Sequence, residues 1–393
     1  MELRPQPSFD NTEIAFSGKT NAELKRAYWL FKLIGNPSLV VVGKVLTQLA
    51  VRLHIPIGWA IRGNIFKQFC GGETIIQCKG AVESLAQFGI GTILDYSVEG
   101  KDNEADFENT KAEIMLTIRE AAEKTSIPFS VFKVTGIARF DLLEKVNACE
   151  ELTETERLEW ERAQARVDAI CACALQCNVP VFIDAEDSWI QDAIDQLADT
   201  MMERYNKQRA IVFNTIQLYR HDRLAFLKKS FEKADQKNYH LGVKLVRGAY
   251  MEKERARAIE KGYEDPIQPN KASSDHDFDT ATTFCLDRIE RIAMCAGTHN
   301  EKSSLKLAEE IDRRKLQRND KRIFFAQLYG MSDHISYNLA NAGYNVAKYL
   351  PYGPIREVMP YLIRRAQENT SVKGQTGREL TLIQKEMKRR RVR

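Results

Sequence analysis

The sequence predicts an α/β chain built as a (βα)8 barrel of the TIM type, preceded by a helical arm. Three observations carry this. Eight short apolar, β-branched runs lie between residues 89 and 353, and longer amphipathic stretches separate them. Polar or charged residues gather at the ends of those runs. The glycine signatures GxGxxG and GxxxxGK[ST] are both missing. Strict alternation of strand and helix implies a parallel sheet. Eight units in about 280 residues suit a closed barrel, with an open doubly wound sheet as the competing arrangement.

Residues 1–85 read as helical. NAELKRAYWLFKLI and PSLVVVGKVLTQLAVRL both have helical spacing, with breaks at Pro37 and Gly71-Gly72. The strand runs follow in order: GIGTILDYSV (89–98), PFSVFKVT (128–135), VPVFIDAE (179–186) and AIVFNTIQLY (210–219). Then come HLGVKLVRGAY (240–250), RIAMCAGTHN (291–300), RIFFAQLYG (322–330) and YNVAKYLPYG (344–353). Between them FENTKAEIMLTIREAAEKT, TETERLEWERAQARVDAICACAL and SWIQDAIDQLADTMMERY repeat their apolar residues at helical intervals. The expected division is an arm over 1–85, a barrel over 86–372 and a basic tail over 373–393.

Composition narrows the classes. The chain has 393 residues, 44% of them hydrophobic, and a net charge of +4. This suits a globule with a large core, and the charge is too small to argue for nucleic acid. The basic cluster KEMKRRRVR reads as a solvated tail, with attraction to an anionic membrane surface as the alternative. The eight cysteines contain no CxxC spacing, so buried thiols in a reducing compartment are expected rather than a metal site. The first residues lack the apolar segment of a signal peptide, and no stretch is long and apolar enough to span a bilayer. The expected location is cytoplasmic and bacterial, with peripheral contact at the inner membrane.

In a (βα)8 barrel the chemistry sits at the C-terminal strand ends. Asp95, Lys133, Asp184 with Glu186, Gln217, Arg247 with Tyr250, and Thr298-His299-Asn300 fall there, as does Tyr349. Each has an ordinary alternative: Asp184 as an N-cap for a helix starting near Ser188, Lys133 as a surface lysine, His299 as a loop histidine. Their joint placement argues for a common mouth. Downstream, YLIRRAQE puts Tyr361, Arg364, Arg365 and Glu368 on one broad helical face. Paired guanidiniums bind a carboxylate in bidentate fashion, and tyrosines supply apolar walls with polar tips. The expected pocket takes a small carboxylate-bearing substrate.

KLVRGAYMEKERARAIEKGYEDPI and YLPYGPIREVMPYLIRRAQEN together resemble the proline dehydrogenase family, closest to its monofunctional type. LDYSVEG (94–100), FIDAED (182–187), THN (298–300) and AQLYGM (326–331) fit as well. The resemblance implies a distorted (βα)8 barrel with non-covalent FAD. It implies oxidation of L-proline to 1-pyrroline-5-carboxylate on the route to glutamate, electrons passing to a membrane quinone. A separate pyrroline-5-carboxylate dehydrogenase would take the product. Arg364 and Arg365 would clamp the proline carboxylate with help from Lys133, and Glu368 would orient the clamp. Tyr349 and Tyr361 would wall the ring, and Leu245, Ala249, Tyr250 and Leu328 would complete the apolar side. Asp184 would stand near both flavin and substrate. Gln217, Lys244, Arg247, Gly248, Ala249, Thr298, His299 and Asn300 match flavin-binding positions, with Arg365 and Glu368 adjoining.

The chain departs from the bifunctional proline-utilisation enzymes at Lys244, where they carry arginine, and at Met251, where they carry tryptophan. Hydroxyproline dehydrogenase shares the fold, with a smaller residue in place of Tyr349. A silent proline-binding regulator and a flavin-free Schiff-base lyase using Lys133 are the rivals from other classes.

Overall fold

A computed structural model describes residues 6–35, 65–97, 101–371 and 375–392, with only the backbone described at 366–371 and 375–376. The second half of the expected arm, residues 37–53, lies outside the described residues. Eight parallel strands close into a barrel in chain order. They are β1 Ile90–Tyr96, β2 Phe129–Phe132, β3 Val181–Ile183, β4 Val212–Gln217, β5 Leu241–Val246, β6 Ile292–Gly297, β7 Ile323–Leu328 and β8 Val346–Tyr352. Each falls inside one of the eight apolar runs. Strands covered on both faces read as near-continuous apolar stretches, which is why these stood out.

The chain forms two compact units, residues 1–99 with 327–393, and residues 100–326. In the second unit an aromatic ladder fills the base of the sheet. Phe129 stacks on Phe182 at 4.4 Å between ring centroids, and Phe213 and Phe324 meet these rings edge-on. Burying such a ring contributes about 1.5–3 kcal/mol. The helix Glu154–Gln176 starts at a capping box, Thr153 with Glu156, and carries Cys171 and Cys173 inward as ordinary core thiols.

In the first unit β1 pairs with β8 from Ile90↔Val346 to Tyr96↔Tyr352. The helix Asn21–Ile34 opens with a second capping box, Thr20 with Glu23. Its Leu24, Ala27 and Phe31 join Phe69, Val358, Tyr361, Leu362, Leu382 and Ile383 in one apolar cluster. The basic C-terminal segment is therefore not a solvated tail. Gln375–Arg389 is helical, buries Leu382, Ile383 and Glu386, and ends with Arg390 donating to the Phe16 and Lys19 carbonyls at 2.7 Å each. Apolar spacing at Leu380, Ile383 and Met387 overrode the basic composition.

Candidate active site

The second unit builds its polar cluster where β2, β3 and β5 end. Asp184 is the first residue past β3, and its N–H donates to the Phe132 carbonyl at 2.9 Å. Lys133 is the first residue past β2, and its ammonium reaches Asp184 Oδ2 at 3.2 Å. Lys244, on β5, pairs with the other carboxylate oxygen and lies over the Phe182 ring. Asp184 and Lys244 are 8% and 4% exposed, so neither charge is well hydrated. Burial alone would raise the Asp184 carboxyl, but Lys244 and Lys133 outweigh it and hold the group below its ordinary value. Asp184 is thus a permanent anion between two cations, which disfavours it as a general base near neutral pH. The N-cap of the next helix, Ser188–Tyr205, is Asp187 rather than Asp184.

Behind Asp184 the chain is held through Glu186 and Gln217, which the sequence offered, and through Thr135, Gln191 and Asp195, which sequence reasoning missed. Thr135 donates its N–H to Glu186 at 3.1 Å and its hydroxyl at 2.5 Å. Gln191 accepts from the Glu186 N–H at 2.8 Å and donates to Asp195, which also holds Asn214 and the buried Arg223. Gln217, at the end of β4, donates to the Glu186 carbonyl at 3.1 Å. These bonds set the direction of the Asp184–Glu186 turn. Their separations in sequence run up to 51 residues, and no local pattern signals them.

A second cluster forms past β5 and β6. Arg247 donates to Asp275 at 2.7 Å, Thr298 at 2.8 Å and Ser303 at 2.9 Å, with its plane over Phe278. Burial of Asp275 is outweighed by Lys271 and Arg247, so its carboxyl also sits below the ordinary value. Thr298 accepts from the Asn300 N–H, and Asn300 caps the helix Glu301–Arg313 by accepting from Ser303 N. Arg247 is thereby committed to fixing this helix entrance rather than offered outward. Between the clusters, Gly248 has φ +143°, and a Cβ there would meet the Tyr219 ring at 2.4 Å. Only glycine fits that bend.

The structure brings Lys133, Asp184 and Lys244 together, and likewise Arg247, Thr298 and Asn300. Leu245 is fully buried on β5, directly after Lys244. His299 stands between Thr298 and Asn300, and Ala249 and Tyr250 follow Gly248 in the loop after β5.

The first unit carries the other expected residues. Tyr349 lies on β8 and is buried, and its carbonyl accepts from Tyr329 N at 2.8 Å. Leu328 ends β7 and packs on the cluster that holds Tyr361. The helix Ile355–Ser371 presents Tyr361, Arg364 and Arg365, with the Arg365 guanidinium 5.2 Å from the Tyr361 ring centre. Pro360 in this helix removes one backbone donor yet leaves it continuous. The side chain of Glu368, expected to orient the clamp, lies outside the described residues.

A dinucleotide-sized flavin can be tested against these residues. Gln217 Oε1 is buried with no partner among the described residues, an acceptor suited to a ligand N–H. Gly248 and Ala249 are exposed in the loop after β5, with little side chain between their backbone and a ligand. The helix entrance at Asn300 offers N–H groups and a positive dipole end for a phosphate. The residues fit the group.

A parallel (βα)8 barrel with buried ionic groups at the strand ends is the architecture of an enzyme with its site on that face. The chain belongs to the proline dehydrogenase family, whose family profile, described as "Proline dehydrogenase", matches residues 78–378. Proline dehydrogenase 1, mitochondrial, of Dictyostelium discoideum is 34% identical over 97% of this chain and 74% of its own length. Hydroxyproline dehydrogenase of Xenopus laevis is 30% identical over 95% of this chain and 88% of its own. A solved structure of proline utilization A from Bdellovibrio bacteriovorus, inactivated by N-propargylglycine, superposes with a TM-score of 0.70. That match is 19% identical and covers 91% of this chain, which spans only 38% of that protein, so it establishes the fold.

Proposed function

We propose that this chain oxidises L-proline to 1-pyrroline-5-carboxylate with non-covalently bound FAD and passes the electrons to a membrane quinone. The observation that carries this reading is membership of the family together with the Lys133–Asp184–Lys244 cluster at the strand ends. Bound FAD would supply the acceptor for the hydride leaving carbon 5 of proline.

The roles fall to this chain's own residues. Arg364 and Arg365 bind the substrate carboxylate, with Lys133 as a third cation. Tyr349, Tyr361, Tyr250, Ala249 and Leu328 wall the pyrrolidine ring, and Glu368 orients the guanidiniums. Gln217, Gly248, Thr298, His299 and Asn300 would hold the flavin. Lys244, fixed by Asp184, would contribute a positive charge to that site, with Arg365 and Glu368 assigned to it as well. Arg247 acts indirectly, through Thr298 and the Asn300 helix entrance. Proline must lose its amine proton before it can donate. Cations around the site favour that loss, because a positive amine beside guanidinium and ammonium groups is disfavoured.

The Xenopus relative raises hydroxyproline as the second substrate. Tyr349 argues for proline, since a tyrosine on that wall should crowd a 4-hydroxyl. Turnover with a soluble quinone and either amino acid decides: proline should give the larger kcat/KM, and Tyr349→Ser should narrow the gap. A native preference for hydroxyproline contradicts the assignment. We place the reaction in a bacterial cytoplasm at the inner-membrane surface, with a separate dehydrogenase consuming the product. Among the described residues no helix is long and apolar enough to cross a membrane.

A further inference from the structure

The first unit contains a polar cavity that the proposed reaction does not use. It has a volume of about 70 Å³ and lies between the turn after β7, the helix Asn21–Ile34 and the helix Ile75–Ala86. A single water needs roughly 10–15 Å³ on this measure, so the space holds a small polyatomic ion with water beside it. Lys19, Arg26 and Lys67 line it against two carboxylates, Glu23 and Asp333.

Asp333 is paired on both oxygens, and one oxygen of Glu23 is engaged at the helix start, with Lys19 and Arg26 nearby in its field. Glu23 accepts from the Thr20 N–H and hydroxyl at 2.9 Å each. Asp333 accepts from Lys19 at 2.9 Å and from the fully buried Lys348 at 2.8 Å. Burial works against the Asp333 charge, and Lys19 and Lys348 outweigh it, so it stays ionised and shared between two lysines. Arg26 and Lys67 have no ion pair or hydrogen bond among the described residues, and Arg26 Nε is shielded from solvent without a partner. The phenols of Tyr329 and Tyr337, both on the wall, are held protonated, by burial first of all, and so remain hydrogen-bond donors. The cavity has three cations against two carboxylates, with hydrogen-bond donors on several sides.

We propose that this cavity binds a small oxyanion, a carboxylate or phosphate group, held by the Arg26 fork and the Lys67 ammonium. A guanidinium with a shielded, unmet N–H matches a planar or tetrahedral oxyanion in bidentate fashion. The occupant would brace the turn Tyr329–Gly330. Gly330 has φ +76°, and a Cβ there would strike the Gln68 carbonyl at 2.0 Å, so this turn is already tightly seated.

The test is titration calorimetry of the full-length holoprotein with inorganic phosphate and, separately, acetate, at constant ionic strength. A saturable site that persists in Arg364→Met is expected for at least one anion, and the tighter of the two at that site identifies the group recognised. Arg26→Met with Lys67→Met should weaken it at least tenfold, about 1.4 kcal/mol. Arg364→Met should leave it intact, which separates this site from the substrate clamp and from any failure of the proline reading. Lys67 is exposed, so Lys67→Met alone keeps the test open if the double variant does not fold. Absence of saturable binding, or binding lost in Arg364→Met and kept in the Arg26 and Lys67 variants, overturns the proposal.

Discussion

Replacing Asp184 by asparagine keeps the shape of the side chain and removes its charge. Lys133 at 3.2 Å then loses its ion pair, and so does Lys244. At an effective dielectric constant of 20, one pair at that distance attracts by about 5 kcal/mol. Desolvation of the three groups offsets much of this, and removing one member of a buried pair costs about 3–5 kcal/mol in practice. The variant should therefore lose about 3–5 kcal/mol, a drop of roughly 6–10 °C in Tm at about 2 °C per kcal/mol. The pH dependence is a sharper check. Asp184 is held below its ordinary value when folded, so its contribution is complete above the unfolded carboxyl pKa, near 3.9, and is lost as pH falls through the folded one. The difference between wild type and Asp184→Asn should stay flat from neutral pH down to about 5 and shrink only below about 4. Thermal melts followed by circular dichroism across that range measure it. A difference under about 1 kcal/mol, or one that already shrinks near neutral pH, would refute a doubly paired, permanently charged Asp184.

Other outcomes follow from the same geometry. Gly248→Ala should weaken flavin retention, because its φ of +143° and the Tyr219 ring 2.4 Å from a new Cβ force the loop to move; a variant that keeps its full flavin content removes Gly248 from the cofactor site. Arg364→Met should raise the KM for proline by at least tenfold, the value of one charge-assisted hydrogen bond of about 1.5–3 kcal/mol, with flavin still bound; an unchanged KM breaks the clamp assignment. Deleting residues 385–393 removes Glu386 and the Arg390 bonds to Phe16 and Lys19, so it should lower Tm by several degrees; an unaffected melt would restore the solvated-tail reading.

Much of the barrel was legible because its signals are local. Each strand is a buried apolar run, and the helices Asn21–Ile34 and Ser188–Tyr205 match their expected spans residue for residue. Lys133 and Asp184 were legible as strand-end residues. What stayed hidden was pairing across the fold. Nothing near Asp184 announces that Lys244, 60 residues on, will share its carboxylate, nor does Arg247 announce Asp275. The C-terminal helix was misread from composition, since its arginines cap and pair rather than face solvent alone. The Thr135–Glu186 and Gln191–Asp195 bonds are side-chain choices that no periodicity encodes.

The central claim is that proline reduces a flavin held by this barrel. The most direct measurement is the anaerobic visible spectrum of the purified chain before and after L-proline, with trans-4-hydroxy-L-proline in parallel and FAD added back if the preparation is pale. The account predicts flavin bands that bleach with proline and only slowly with hydroxyproline. Flavin that proline leaves oxidised, or a chain that takes up no FAD, would contradict it.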